Sequence, residues 1–321
     1  MEAVMMGAVM TDAAVTRVAV TRPRPGRELR WGLAFLSPWL LGFVLFTAGP
    51  MVVSFVLSLN QYDMIGSPRY VGADNYRRLL DDPRLGTALF NTVVYTLLHV
   101  PLSVALALGL AALLRRAGRA AGWARTMLYL PVMTPPVAMA ALFFLLLNGR
   151  QGLLNAVLRW FGVDGPNWTT DPAWIKPGLV IMSLWTVGST AVLYLAAMAG
   201  VPKDLYEAAS LDGTGAWRRF RSVTLPMISP TVYFTVVVNT IASLQYFTEA
   251  YAMFYTPGTS ASNDGDAALF YVIYLFQQAF TYLHMGYASA MAWLLFVLIA
   301  LVTVVQVRVS RRLVHYEGDR A

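Results

Sequence analysis

The chain has 321 residues, 57% hydrophobic and only 13% charged, with a mean hydropathy of +0.55. Those values lie outside the range of an ordinary soluble domain and point to a membrane protein. The absence of cysteine excludes a disulfide framework and any thiolate metal site, and a net charge of +7 is what loops rich in Arg and Lys on one membrane face would give, without nucleic acid.

Residues 1–16 lack the basic region of a cleaved signal peptide, and Asp12 interrupts their apolar run. Residues 1–30 are therefore expected to form a cytoplasmic, disordered tail. Beyond them a charge in hydrocarbon costs several kcal/mol, so charge-free intervals mark the spans. The intervals are Trp31–Tyr62, Leu85–Leu114, Thr126–Gly149, Pro177–Pro202, Ser222–Thr248 and Ala267–Val307. The first five each suit one helix of about 20 residues. The last is long enough for two, and the basic residues decide between the possibilities.

With the N-terminal tail inside, 17 of the 24 Lys and Arg fall on cytoplasmic segments and 7 on external ones. Keeping Arg308, Arg311 and Arg312 inside requires an even number of spans, so Ala267–Val307 should hold one true span. The expected spans are about 32–58, 88–114, 126–148, 178–200, 228–250 and 286–307, with residues 313–321 a second cytoplasmic tail. The stretch 267–285, with Gln277, Gln278 and His284 among aromatics, reads as an interfacial or re-entrant helix. No extramembrane piece is large enough for a catalytic domain.

The longest cytoplasmic loop has a definite composition: "EAASLDGTGAWRRFRSVTLP", Glu207–Pro226. Pro202 suits a helix start, "KDLYEAASLD" continues it, and Gly213 stops it. Thr214 is then expected to cap a second short helix, "GAWRRFRSVT", ending at Leu225-Pro226. Leu205, Ala208 and Ala209 share one face with small side chains, a surface suited to docking.

The spacing E-A-A, three residues, G, nine residues, a β-branched aliphatic, one residue, L-P resembles the loop signature of binding-protein-dependent ABC importer permeases. Glu207, Ala208, Ala209, Gly213, Val223, Leu225 and Pro226 occupy its positions, with Val223 where isoleucine is more usual. Leu205 and Asp212 complete the expected ATPase-coupling surface. A second stretch, "YVGADNYRRLLDDP" (Tyr70–Pro83), looks like the first external segment of the maltose and glycerol-phosphate type of sugar permease, in its six-span form.

The resemblance implies an all-α integral membrane protein of six transmembrane helices with the type I ABC importer permease fold, in a bacterial-type plasma (inner) membrane, both termini cytoplasmic. It implies no enzymatic activity in this chain and no cofactor, with ATP and Mg bound by two partner ATPase subunits. The implied partners are a second homologous permease chain in a heterodimer, an extracytoplasmic sugar-binding protein, membrane lipid and a sugar substrate, and no nucleic acid. The chain itself has no G-x-x-x-x-G-K-[ST] phosphate loop. The competing readings are a permease of the same superfamily for a non-sugar solute, such as an amino acid or phosphonate, and an intramembrane enzyme. The latter would need H-E-x-x-H, G-x-S-x-G or an acidic cluster within the spans, and none is present.

In the fifth span Thr235, Asn239, Ser243 and Tyr246 step along one helix face, with Glu249 near its outer end. Two readings stand for this face, a lining of the substrate pathway and interhelical packing. Ser183, Thr186 and Thr190 share a face in the fourth span and read as packing residues, and His99 as a hydrogen-bonding group between helices.

Overall fold

The structure, a computed structural model, describes residues 25–118, 121–255 and 266–313. The chain divides into two units, Met1–Val53 and Ser54–Ala321. In the first, α1 (Pro25–Phe43) passes into a wide π turn at Val44–Ala48, and α2 (Gly49–Ser58) begins, its last residues counted with the second unit. Pro50 has no N–H to give, and the Gly49 N–H reaches back to the Val44 carbonyl. Residues 25–30 are thus helical, whereas the rest of the expected tail, like residues 314–321, lies outside the described residues.

In the second unit β1 (Asn60–Gln61) pairs antiparallel with β2 (Arg69–Tyr70), and α3 (Asp74–Asp81) leads into the 34-residue α4 (Pro83–Arg116). The residues of the Tyr70–Pro83 stretch have identifiable mechanical tasks. Gly72 turns the chain at φ +58°, a left-handed conformation that costs glycine little. Asn75, only 2% exposed, donates from Nδ2 to the carbonyls of Ser58 and Asn60, both at 2.9 Å. Tyr76 OH lies 2.8 Å from Ser58 Oγ. Asp82 accepts from the N–H groups of Arg84 and Leu85, capping α4, and Pro83 takes the first helical position, where its missing N–H is not needed.

α5 (Ala121–Tyr129) and α6 (Pro136–Leu146) meet at a 99° bend. One continuous helix over 126–148 is the sequence expectation; Pro131, Pro135 and Pro136 explain the difference, since each removes a donor, and Thr134 and Pro135, each followed by a proline, leave the helical region. α7 (Leu153–Trp160) follows, held by buried Asn155, which donates to the carbonyls of Gly149 and Pro166 and accepts from Trp168 Nε1.

α8 (Pro172–Leu184) and α9 (Gly188–Ala199) are bent by 51° across Trp185–Val187, where the expected 178–200 span is also broken. At Gly188 a Cβ would collide with the Leu128 carbonyl, so glycine is what lets α9 press against α5. α10 (Lys203–Leu211), α11 (Ala216–Arg219), a wide turn at Phe220–Thr224 and α12 (Leu225–Met227) form the loop before α13 (Ser229–Leu244). α13 stops at Leu244, and α14 (Thr248–Phe254) starts after a three-residue break, so the expected 228–250 helix is two pieces. α15 (Tyr271–Phe276) and its wide turn Gln277–Thr281 are too short to cross about 30 Å of hydrocarbon. A left-handed Leu283 separates them from α16 (Met285–Leu313).

Among the described residues three helices are long and apolar enough to cross a membrane: Gly32–Ser58, Pro83–Arg116 and Met285–Arg311. Three bent pairs bring the number to six if each is one span. In the second unit α4 is the centre, packing on α8, α9, α13 and α15. Fully buried Ala107 and Ala111 on α4 and Ala191 on α9 let the backbones approach, which is how helices associate where lipid removes the hydrophobic drive.

Candidate functional site

The loop between α9 and α13 is built around one left-handed residue. Gly213, at φ +69°, lets its own N–H donate to the Ser210 carbonyl and the Thr214 N–H to the Ala209 carbonyl, a Schellman closure of α10. The Thr214 hydroxyl also donates to the Ala209 carbonyl, at 2.5 Å. It therefore closes the end of α10, and Gly215 rather than Thr214 stands at the start of α11, without a side-chain cap. Pro202 likewise stands just before α10 instead of at its first position.

The loop offers an exposed surface: Leu205 is 40%, Leu211 90% and Trp217 73% exposed, with Glu207, Ala208, Asp212 and Gly213 exposed beside them. Ala209, Val223, Leu225 and Pro226 are half-buried and set the base of the loop. Tyr206, which the signature does not mark, fixes the loop to the bundle. Its hydroxyl accepts from Arg115 Nη1 at 2.7 Å and lies 3.0 Å from Thr224 Oγ1. The Arg115 guanidinium sits 4.4 Å from the centre of its ring. One side chain thus joins the end of α4, α10 and the turn before α12. The signal available in the sequence was an aromatic one position after Leu205, about 100° around α10 from it.

The polar face of α13 is largely engaged within the chain. The Thr235 hydroxyl bonds Tyr194 OH of α9. Ser243 Oγ lies 2.9 Å from His99 Nδ1 of α4, and Asn239 Nδ2 reaches Ser103 Oγ at 3.5 Å, the limit of a hydrogen bond. Tyr246 falls in the break after α13, buried and stacked on Tyr95 with ring centres 4.3 Å apart, an arrangement worth about 1 kcal/mol beyond its buried area. Its hydroxyl, near Ser183, makes no hydrogen bond of regular geometry. Glu249, in the first turn of α14, is half-buried and forms no ion pair among the described residues. The break separates Tyr246 and Glu249 from the helical register of Thr235, Asn239 and Ser243.

At the opposite end of α4 a polar knot ties the Tyr70–Pro83 segment to α15 and α16. Tyr274 OH and Tyr287 OH both donate to Asp82 Oδ2 at 2.6 Å, Gln278 Nε2 donates to Tyr274 OH at 2.8 Å, and His284 Nδ1 lies 2.9 Å from Gln278 Oε1. Arg84 makes a two-point contact with Asp266 at 2.8 and 3.0 Å. Burial opposes ionisation of Asp82, but its bonds from Tyr274, Tyr287 and two backbone N–H groups outweigh that cost and hold its carboxyl below the ordinary value. Burial, then the bond to Asp82, pushes the Tyr274 phenol up to about 12. Among the described residues no group of three His, Asp or Glu could hold a metal ion.

Comparison with known proteins gives consistent likenesses. The family described as binding-protein-dependent transport system inner membrane component matches residues 100–315. The probable ABC transporter permease protein YesP of Bacillus subtilis is 36% identical over 289 residues, 89% of this chain and 92% of that protein. The lactose transport system permease protein LacF of Rhizobium radiobacter is 32% identical, covering 87% and 94%. In three dimensions the chain superposes on a bacterial ABC transporter involved in alginate import with a TM-score of 0.77 at 24% identity, over 91% of this chain and all of that one. The chain belongs to the binding-protein-dependent transport system inner membrane component family and has the fold of a type I ABC importer permease.

Proposed function

We propose that the chain is the membrane-spanning permease subunit of an ATP-driven importer for a sugar or sugar-like solute. The observation that carries the reading is the Glu207–Pro226 loop, closed at Gly213, exposed on one face and fixed to α4 through Tyr206. A partner ATPase would seat Leu205, Leu211 and Trp217 in a cleft, with Glu207 accepting charge-assisted hydrogen bonds from a basic group. Motion of that seat would reach α4 through Arg115 and α13 through Thr224 and Pro226. The sugar assignment is supported by relatives named for lactose and alginate transport.

One loop serves one ATPase cleft, so a pair of ATPases calls for a second permease chain, and the solute would arrive on an external binding protein. Both termini lie on the cytoplasmic side by the distribution of Arg and Lys. The substrate path runs along the Asn239, Tyr246 and Glu249 side of the α13–α14 break, with Thr235 and Ser243 holding that face in place.

Reconstitution of the chain with its ATPases and binding protein in proteoliposomes tests the reading. ATP-dependent uptake of a labelled oligosaccharide is expected, carried by an assembly whose mass accommodates a second, different permease. Glu207→Ala and Gly213→Trp should leave that assembly intact while separating hydrolysis from uptake. Coupled uptake at the normal rate in both variants, or a competent assembly with two copies of this chain, would overturn it.

A further inference from the structure

At the end of the bundle that carries α10, a cavity of about 490 Å³ opens between α4, α5, α9 and the first residue of α10. Its rim holds three cations, Arg115, Arg125 and Lys203, and no carboxylate lines it. Among the described residues neither Arg125 nor Lys203 makes an ion pair, and Arg115, although bonded to Tyr206, keeps further N–H donors on its guanidinium. Below the rim the walls are apolar: Leu114, Val192, Leu195 and Ala196. Three exposed cations around an oily slot repel one another, and among the described residues none of them is neutralised by a carboxylate. The site is complementary to a ligand with an anionic head and a hydrocarbon tail.

The depth of the walls selects among such ligands. Leu114 lies in the last turn of the candidate span Pro83–Arg116, and Val192, Leu195 and Ala196 belong to the half-span Gly188–Ala199, which puts the slot at the boundary between headgroups and acyl chains. Free phosphate would satisfy the cations while leaving the apolar lining unfilled. We propose that this cavity is a binding site for an anionic phospholipid, its phosphate held by Arg125, Lys203 and Arg115 and one acyl chain laid along Leu114, Val192, Leu195 and Ala196. Basic pockets between helix ends are where such headgroups are held. A lipid seated there touches the last turn of α4 and the first residue of α10 together, so bilayer charge would bias the same joint that Tyr206 bridges. The inference rests on the chain crossing a membrane and stands whether or not the solute is a sugar.

The test uses the intact transporter complex in mild detergent, titrated with phosphatidylglycerol or phosphatidylcholine of identical acyl chains and read by native mass spectrometry. Phosphatidylglycerol should be retained at least about tenfold more tightly, because it carries the net negative charge that the choline cation cancels in phosphatidylcholine. The double variant R125Q/K203Q, which leaves the Arg115–Tyr206 contact in place, should abolish the preference. Ala196→Trp, which fills the slot and keeps every charge, should weaken retention of phosphatidylglycerol. Photoactivatable phosphatidylglycerol with a diazirine in its acyl chain should label the wild-type peptide around residues 192–196, an outcome that needs no variant to fold. Three results would overturn the proposal: unchanged retention in R125Q/K203Q, displacement of the lipid by inorganic phosphate with no effect of Ala196→Trp, or labelling confined to other helices.

Discussion

Asp82 concentrates several roles in one side chain. Its Oδ1 caps α4 while its Oδ2 accepts two tyrosine hydroxyls, so one carboxylate fixes a helix start and pins two distant elements to it. Loss of the cap alone costs about 1 kcal/mol, and orphaned hydroxyls add to it. The melting temperature of the solubilised complex at neutral pH should fall in the order wild type, Asp82→Asn, Asp82→Ala, because Asn retains a capping oxygen without the charge. The folded carboxyl titrates below its ordinary 3.8, so the stability it contributes is complete above that pH and is lost as pH falls through the lowered value. The gap between wild type and Asp82→Asn should therefore close in acid; a gap independent of pH would remove the charge from the account. Asp82 was visible in the sequence only as part of a resemblance. Its partners Tyr274 and Tyr287 lie about two hundred residues away, and no local pattern announces such a contact.

At the scale of elements, proline explains most of what the α5–α6 pair does, and glycine explains Gly213 and Gly188, both legible as residue types in advance. The break after Leu244 has no proline and no glycine in it, and its position divides the α13 polar face. That division separates two roles which a helical projection had merged. Thr235 and Ser243 are spoken for by Tyr194 and His99, whereas Asn239 is held at the limit of hydrogen bonding and the Tyr246 hydroxyl has no regular partner. Asn239→Ala and Tyr246→Ala are therefore expected to lower uptake several-fold, unequally for different sugars, at normal membrane level and normal ATPase association. Disassembly of the complex by both would assign the whole face to packing instead. Tyr246→Ala also removes a ring stacked on Tyr95, so a further loss of about 1 kcal/mol in stability should accompany it.

For the whole molecule, the charge count makes a prediction that is independent of every side-chain contact. Cysteines placed at 119 and 312 should both resist a membrane-impermeant maleimide applied to intact cells and both react after permeabilisation. Labelling at 312 alone would make the α15 segment a span and reverse the orientation of the C-terminal arginines.

Composition, the charge-free intervals and the Glu207–Pro226 spacing were enough to determine a multi-span permease-type chain with a glycine-closed loop between its fourth and fifth intervals. Those features are dictated locally: hydrocarbon excludes charge whatever the neighbours are, and a left-handed turn such as the one at Gly213 costs glycine least. The tertiary structure alone decided that α13 ends at Leu244 without a breaker residue and which residues tie the ends together. Tyr206 meets Arg115 and Thr224, Asp82 meets Tyr274 and Tyr287, and Ser243 meets His99, each across an interval that only packing closes. Polar groups in a membrane must find partners within the protein, and which partner is available depends on how the helices cross, a property of the assembled bundle and not of any one segment.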